Sequence, residues 1–133
     1  MIAGYVADLT ATLRILSDDE RSTDIRSVLG VLTSEGDTLL LPVTTLTQAT
    51  IIADPDPEDL MWLLGFRACE IANLTNKDVF RVARQARHAA RPHDTQLHHA
   101  HTAYLAMTRG WPVLTADPAG WAGYGHLELV EIP

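Results

Sequence analysis

Cysteine is almost absent: Cys69 stands alone among 133 residues, so no internal disulfide framework forms, and a reducing compartment is the expectation. Long apolar runs are missing too. None approaches the roughly 20 residues that span a bilayer, and Met1-Ile2-Ala3-Gly4-Tyr5 lacks the basic flank and apolar segment of a secretory signal. The reading is a soluble, cytoplasmic protein with no membrane partner. Cations are scarce: ten Lys and Arg against 17 Asp and Glu leave a formal charge of −7. Gripping nucleic acid through its phosphates takes a basic face, so the few cations present carry weight. No repeat, low-complexity tract or linker divides the chain, and residues 1–133 read as one domain.

What is present is ordinary for a globular protein: 47% hydrophobic and 20% charged residues, in a chain long enough to enclose a core. The cations cluster. Arg81, Arg84, Arg87, His88 and Arg91 lie within eleven residues, and on a helix the last four share a stripe. A solvated helix face is the plain reading; a surface that contacts RNA or an acidic partner is the other.

Periodicity places the elements. Ile2 to Ala7 reads as a strand ending at Asp8, and Leu9, Leu13 and Leu16 repeat at helical spacing. Asp18-Asp19-Glu20 marks a break or the acidic first turn of a second helix, which has Ile25, Val28, Leu29 and Leu32 as its stripe and Gly36-Asp37 as its stop. Thr38 to Val43 is a buried strand, after which Thr44 or Thr45 caps a helix to Ala53. Asp54-Pro55-Asp56-Pro57 turns into a helix through Leu64, and Cys69 to Leu74 is a third strand. Asn76 caps a helix from Lys77 to about Ala90, Thr95 to Arg109 forms another that stops at Gly110, and Val113 to Thr115 is a fourth strand. Gly120 to Gly125 reads as loop and Leu127 to Ile132 as a last strand. Strands separated by helices imply crossovers, hence a three-layer α/β/α fold on a mostly parallel sheet of about five strands. Ligand crevices in such sheets lie beyond the carboxyl ends of the strands, where Asp8 and Asp117 stand.

Two carboxylates brought together by parallel strands repel, and a hard divalent cation such as Mg²⁺ or Mn²⁺ relieves the repulsion. Such an ion polarises a phosphodiester and activates water. Equally, Asp8 caps the first helix and Asp117-Pro118 starts a turn. Spacing alone leaves both readings open.

Asp8-Leu9-Thr10, Leu41-Pro42-Val43 leading into a helix, and the run from Gly110 to Pro118 (Gly-Trp-Pro-Val-Leu-Thr-Ala-Asp-Pro) together resemble the PIN domain. They are similar in particular to the short toxins of VapBC-type toxin–antitoxin pairs. The likeness covers nearly the whole chain, through the closing segment from Leu127 to Pro133. It implies a metal-dependent endoribonuclease, a hydrolase that holds Mg²⁺ or Mn²⁺ among four acidic residues and cleaves RNA, with an antitoxin-like protein as partner. The first acidic position matches Asp8, with Thr10 as its hydroxyl companion. The fourth matches Asp117, preceded by Thr115. The second, normally Glu, falls on Gln48; the third, normally Asp, falls on His99, with His98 its register neighbour. Asp8 and Asp117 are thus the expected metal ligands, while Gln48, His99, Thr10 and Thr115 complete the site.

Two of the four charges are gone. A glutamine amide brings oxygen without charge, and histidine is a poor Mg²⁺ ligand, though it suits Mn²⁺, Zn²⁺ or Ni²⁺. The cluster His93, Asp94, His98, His99 and His101 offers ligand-like spacings; His101, bordering an apolar stripe, reads as a hydrogen-bonded core histidine, and the others as ligands or acid–base groups. Other features read plainly: Trp121 in its glycine-rich loop closes over the sheet edge, Trp62 to Phe66 packs in the core or against a partner, and Cys69 is inert. Two functions follow. One is a PIN-like ribonuclease; the other is a catalytically impaired pseudonuclease that binds RNA or protein. An unrelated small α/β regulatory domain is a third, and homodimerisation fits all three.

Overall fold

Short apolar runs alternate with amphipathic stretches, and in the computed structural model these become strands and helices in turn. Residues 3–17, 19–87 and 95–133 are described. Strand β1 (Gly4–Ala7) precedes α1 (Leu9–Leu16) and α2 (Glu20–Glu35); β2 (Thr38–Pro42) precedes α3 (Val43–Ala53) and α4 (Pro57–Leu64). Next come β3 (Cys69–Ala72), α5 (Asn76–Ala86) and α6 (Leu97–Arg109), then β4 (Val113–Thr115), a 3-10 turn (Pro118–Trp121) and β5 (Leu129–Glu131). The strands lie in the order β3-β2-β1-β4-β5, every pairing parallel. The fold is α/β, as the alternation of strands and helices predicts. Among the described residues no helix is long and apolar enough to cross a membrane.

Strand alternation sorts the core into two layers. Ala7, Leu39, Leu41 and Leu114 face one side, where Ile15, Ile25, Leu29 and Leu63 from α1, α2 and α4 cover them. Val6, Leu40 and Val113 face the other, under Ala103 and Ala106 of α6 and under Trp121. Both faces of the sheet are therefore buried, which is what an all-parallel sheet requires.

Some helix ends carry the expected caps and others do not. Gly36 and Gly110 close α2 and α6 in the left-handed conformation, φ 75° and 68°. Thr44 and Thr45 do not cap α3, which starts at Val43 directly after Pro42. Their hydroxyls tie α3 to α6 instead: Thr44 Oγ1 meets His101 Nδ1 at 2.9 Å, and Thr45 Oγ1 meets Thr102 Oγ1 at 3.1 Å. Thr75, not Asn76, stands at the start of α5, its N–H and Oγ1 donating to Asp78 Oδ2 at 3.0 and 2.8 Å. The edge strands are shorter than their apolar runs: β3 stops at Ala72 and β5 covers only Leu129–Glu131. An edge strand has one neighbour, and its ladder ends where that neighbour's does; β4 offers β5 only three residues. Pro118–Trp121, expected as loop, winds into a 3-10 turn. Ile2, Asp18, the extension of α5 to Ala90, and His88, Arg91, His93 and Asp94 of the clusters named above lie outside the described residues.

Two glycines make opposite demands. A Cβ on Gly4 would sit 2.7 Å from the Trp111 ring, whereas one on Gly30, exposed within α2, would meet nothing within 4 Å. Gly4→Ala is expected to destabilise by about 1–3 kcal/mol through overpacking. Gly30→Ala is expected to stabilise by roughly 0.5–1 kcal/mol, because it removes glycine's freedom from the unfolded chain. Urea unfolding midpoints check both; equal midpoints for the two variants would contradict the packing described.

Candidate functional site

Parallel neighbours end at the same rim. β1 and β4 pair with Ala7 opposite Leu114, and the Asp8 N–H continues the ladder by donating to Leu114 O at 3.1 Å. Asp8 is the N-cap of α1 and is only 4% exposed. Its Oδ1 accepts from Ala11 N at 2.9 Å and from Thr10 Oγ1 at 2.7 Å. The Thr10 proton is thereby committed to Asp8, so at the 3.3 Å contact with Thr115 it is Thr115 Oγ1 that donates. Thr10 Oγ1 also accepts the Ala116 N–H at 2.8 Å, and Thr115 Oγ1 accepts the Asp117 N–H at 3.0 Å. The side chains of Asp8, Thr10 and Thr115, three of the six expected site residues, thus form one hydrogen-bonded network across more than a hundred residues of sequence, which Asp117 joins through its backbone N–H.

The 3-10 turn after Asp117 folds Trp121 back over this network. Its Nε1–H donates to Asp8 Oδ2 at 2.9 Å, and the indole is 2% exposed. His99 stacks on it, ring centroids 3.7 Å apart and planes within 17°. His99 Nε2 lies 3.1 Å from the Gly120 carbonyl, a bond that puts the proton on Nε2. Tyr124 meets the indole edge-on at 5.3 Å. Burial lowers the His99 pKa, an effect opposed by the Gly120 carbonyl and by the charges of Asp8 and Asp117. Above the ordinary histidine value of about 6.5 this shift favours the neutral imidazole in the stack.

Gln48 belongs to a neighbouring groove of about 570 Å³, lined by Val43, Thr44, Thr47, Leu97 and His98 among others. His98 Nε2 pairs with Gln96 Oε1 at 2.6 Å. Burial lowers its pKa, as does the adjacent His99, while Asp8 raises it. The two candidates for the third acidic position therefore part company: His99 faces Trp121, and His98 faces the groove of Gln48.

This donor set does not fit a hard divalent cation in the arrangement observed. Asp8 already accepts three hydrogen bonds of the four its carboxylate can take. Asp117 is exposed, its Oδ2 3.2 Å from where a Cβ on Gly120 would stand. Mg²⁺ demands near-octahedral oxygen, and the Trp121 indole occupies Asp8 Oδ2 with its N–H while the His99 imidazole stacks on that indole. Among the described residues, no group of three or more His, Cys, Asp or Glu side chains is placed to hold a metal. Cys69 is no nucleophile: burial pushes its thiol up to about 11. No family model and no curated protein matches the chain.

The residue that sequence reasoning undervalued is Trp121. One signal was available, since a tryptophan that becomes buried needs an acceptor for its N–H, and Asp8 is the buried carboxylate at that end of the sheet.

Two outcomes are expected. Trp121→Phe removes the donor to a buried carboxylate and should lower stability by about 1–3 kcal/mol; an unchanged denaturation midpoint would show that Asp8 does not depend on the indole. Burial also lowers the pKa values of His98, His99 and His101 beneath their ordinary value of 6.5. The unfolded chain then binds protons first, so stability is full above that value and falls as pH drops through it. Melting temperature should decline from pH 7 towards pH 5, and a flat profile over that window would refute the linkage.

Proposed function

We propose that the chain is a non-catalytic binding module: a PIN-like pseudonuclease whose partners are RNA or protein, an antitoxin-like protein among them. One observation carries this reading. Trp121 donates its indole N–H to Asp8, the carboxylate that a nuclease would present to its cation, and His99 stacks on the face of that ring. Gln48 and His99 add no negative charge where the resembled enzymes have Glu and Asp, so little electrostatic drive is left to displace the indole. Asp8 instead caps α1, and Asp117 introduces the turn that delivers Trp121.

A metal-dependent ribonuclease is the second reading, favoured by the convergence of Asp8, Thr10, Thr115 and Asp117 at one rim. With Mg²⁺ or Mn²⁺ bound, such a site would polarise a phosphodiester and activate water. It requires Trp121 and His99 to move aside.

Calorimetric titration with Mn²⁺ and Mg²⁺, run beside cleavage of a mixed RNA pool, separates the two. The module reading expects no metal-dependent cleavage, and identical behaviour from wild type and Asp117→Asn. That variant alters an exposed side chain and leaves the Asp8 bonds in place. Cleavage that needs added metal and disappears in Asp117→Asn would establish the enzyme instead.

A further inference from the structure

Helix α5 and the residue after it hold four of the chain's ten Lys and Arg residues: Lys77, Arg81, Arg84 and Arg87, all exposed. The single carboxylate in that stretch, Asp78, is turned back onto Thr75 by bonds from its N–H and hydroxyl. Those bonds lower the Asp78 pKa first and foremost, with Arg81 contributing only a lesser, longer-range attraction. In a chain of net charge −7 this helix is the cationic exception.

The cations surround apolar surface. Phe80, 72% exposed, stands three residues after Lys77, four before Arg84 and seven before Arg87, so helical spacing puts it on their stripe. Beside it, a cleft of about 340 Å³ runs between α5 and α6, with Arg81, Arg84 and Gln85 on one wall and Tyr104, Met107 and Thr108 on the other. A guanidinium rim suits carboxylates, which it grips two oxygens at a time. A wall of Tyr104 and the adaptable thioether of Met107 suits an aliphatic or aromatic side chain.

We propose that the α5–α6 cleft is a docking surface for an acidic peptide segment bearing one or two apolar side chains, supplied by a partner protein. This rests on the binding-module reading and names one of its partners. The overall charge favours a short segment over a nucleic-acid strand. Among the described residues the cations run from Lys77 to Arg87, about 15 Å of helix, and a long polyanion would also meet the field of a chain whose net charge of −7 repels it. A short acidic peptide stays within the cationic field and adds apolar contact with Phe80.

Fluorescence anisotropy on the full chain tests this with three labelled probes. They are a Glu/Asp-rich peptide with a central Leu-Phe pair, the same peptide with Lys in place of its acids, and polyuridylate of equal length. The acidic peptide is expected to bind, more weakly as salt rises, and the Lys peptide is not. The double variant Arg81→Glu/Arg84→Glu should weaken binding about tenfold or more, two attractions having become repulsions; Phe80→Ala should weaken it severalfold. All three positions are exposed, and circular dichroism confirms that the variants fold. No binding of the acidic peptide, unchanged affinity in the double variant, or polyuridylate outcompeting the peptide on the same residues would each overturn the proposal. None of these outcomes produces metal-dependent RNA cleavage, the result that sinks the module reading, so the two failures are told apart.

Discussion

A carboxylate at 4% exposure has lost most of its water, and only donors aimed at it can hold its charge inside the protein. Asp8 receives three: the Ala11 N–H, the Thr10 hydroxyl and the Trp121 indole N–H. The positive end of α1 adds to them. These donors come from both ends of the sequence. Around this one group, the end of β1, the first turn of α1, the end of β4 and the 3-10 turn are held in register. The Thr10–Thr115 contact and the Ala116 and Asp117 amides extend the same network along the rim.

The same satisfaction of Asp8 determines what the rim does. A metal site needs carboxylate oxygens that face solvent and one another, whereas a structural site needs them turned onto protein donors. Here the second arrangement prevails, and it is reinforced from above. His99, its pKa lowered by burial, stacks on the indole and anchors itself to the Gly120 carbonyl. Tyr124 closes the edge. Side chains that a nuclease reading assigns to chemistry become the supports of an aromatic lid. Gln48 and His98, set apart in a groove with Thr44, Thr47 and apolar walls, carry no charge of their own to restore a cation site.

On the binding-module reading proposed above, recognition falls to the surface instead of the rim. Among the described residues of this acidic chain, α5 is the helix richest in Lys and Arg, and its one carboxylate is turned to the helix start. Exposed Phe80 and Val79 on the same helix, at 72% and 56%, are not used by the core. Charge and apolar area side by side are what a recognition surface combines.

Much of the architecture was legible locally. Leu39-Leu40-Leu41 marks a strand buried on both faces, Gly36 and Gly110 stop helices because they accept positive φ, and the strand–helix alternation implies parallel crossovers. The carboxyl-end rule likewise put Asp8 and Asp117 at one rim, and resemblance put Thr10 and Thr115 beside them. Sequence alone therefore determined the fold class and the location of the acidic pair. Tertiary structure alone decided what surrounds that pair. Whether Asp8 meets an indole, whether Thr44 caps its helix or joins His101, and whether His98 or His99 turns to the rim depend on partners 113, 57 and 21 residues away. Local pattern reports only on neighbours in the chain, whereas the hydrogen bonds that commit a buried polar group are chosen by whatever the fold brings against it.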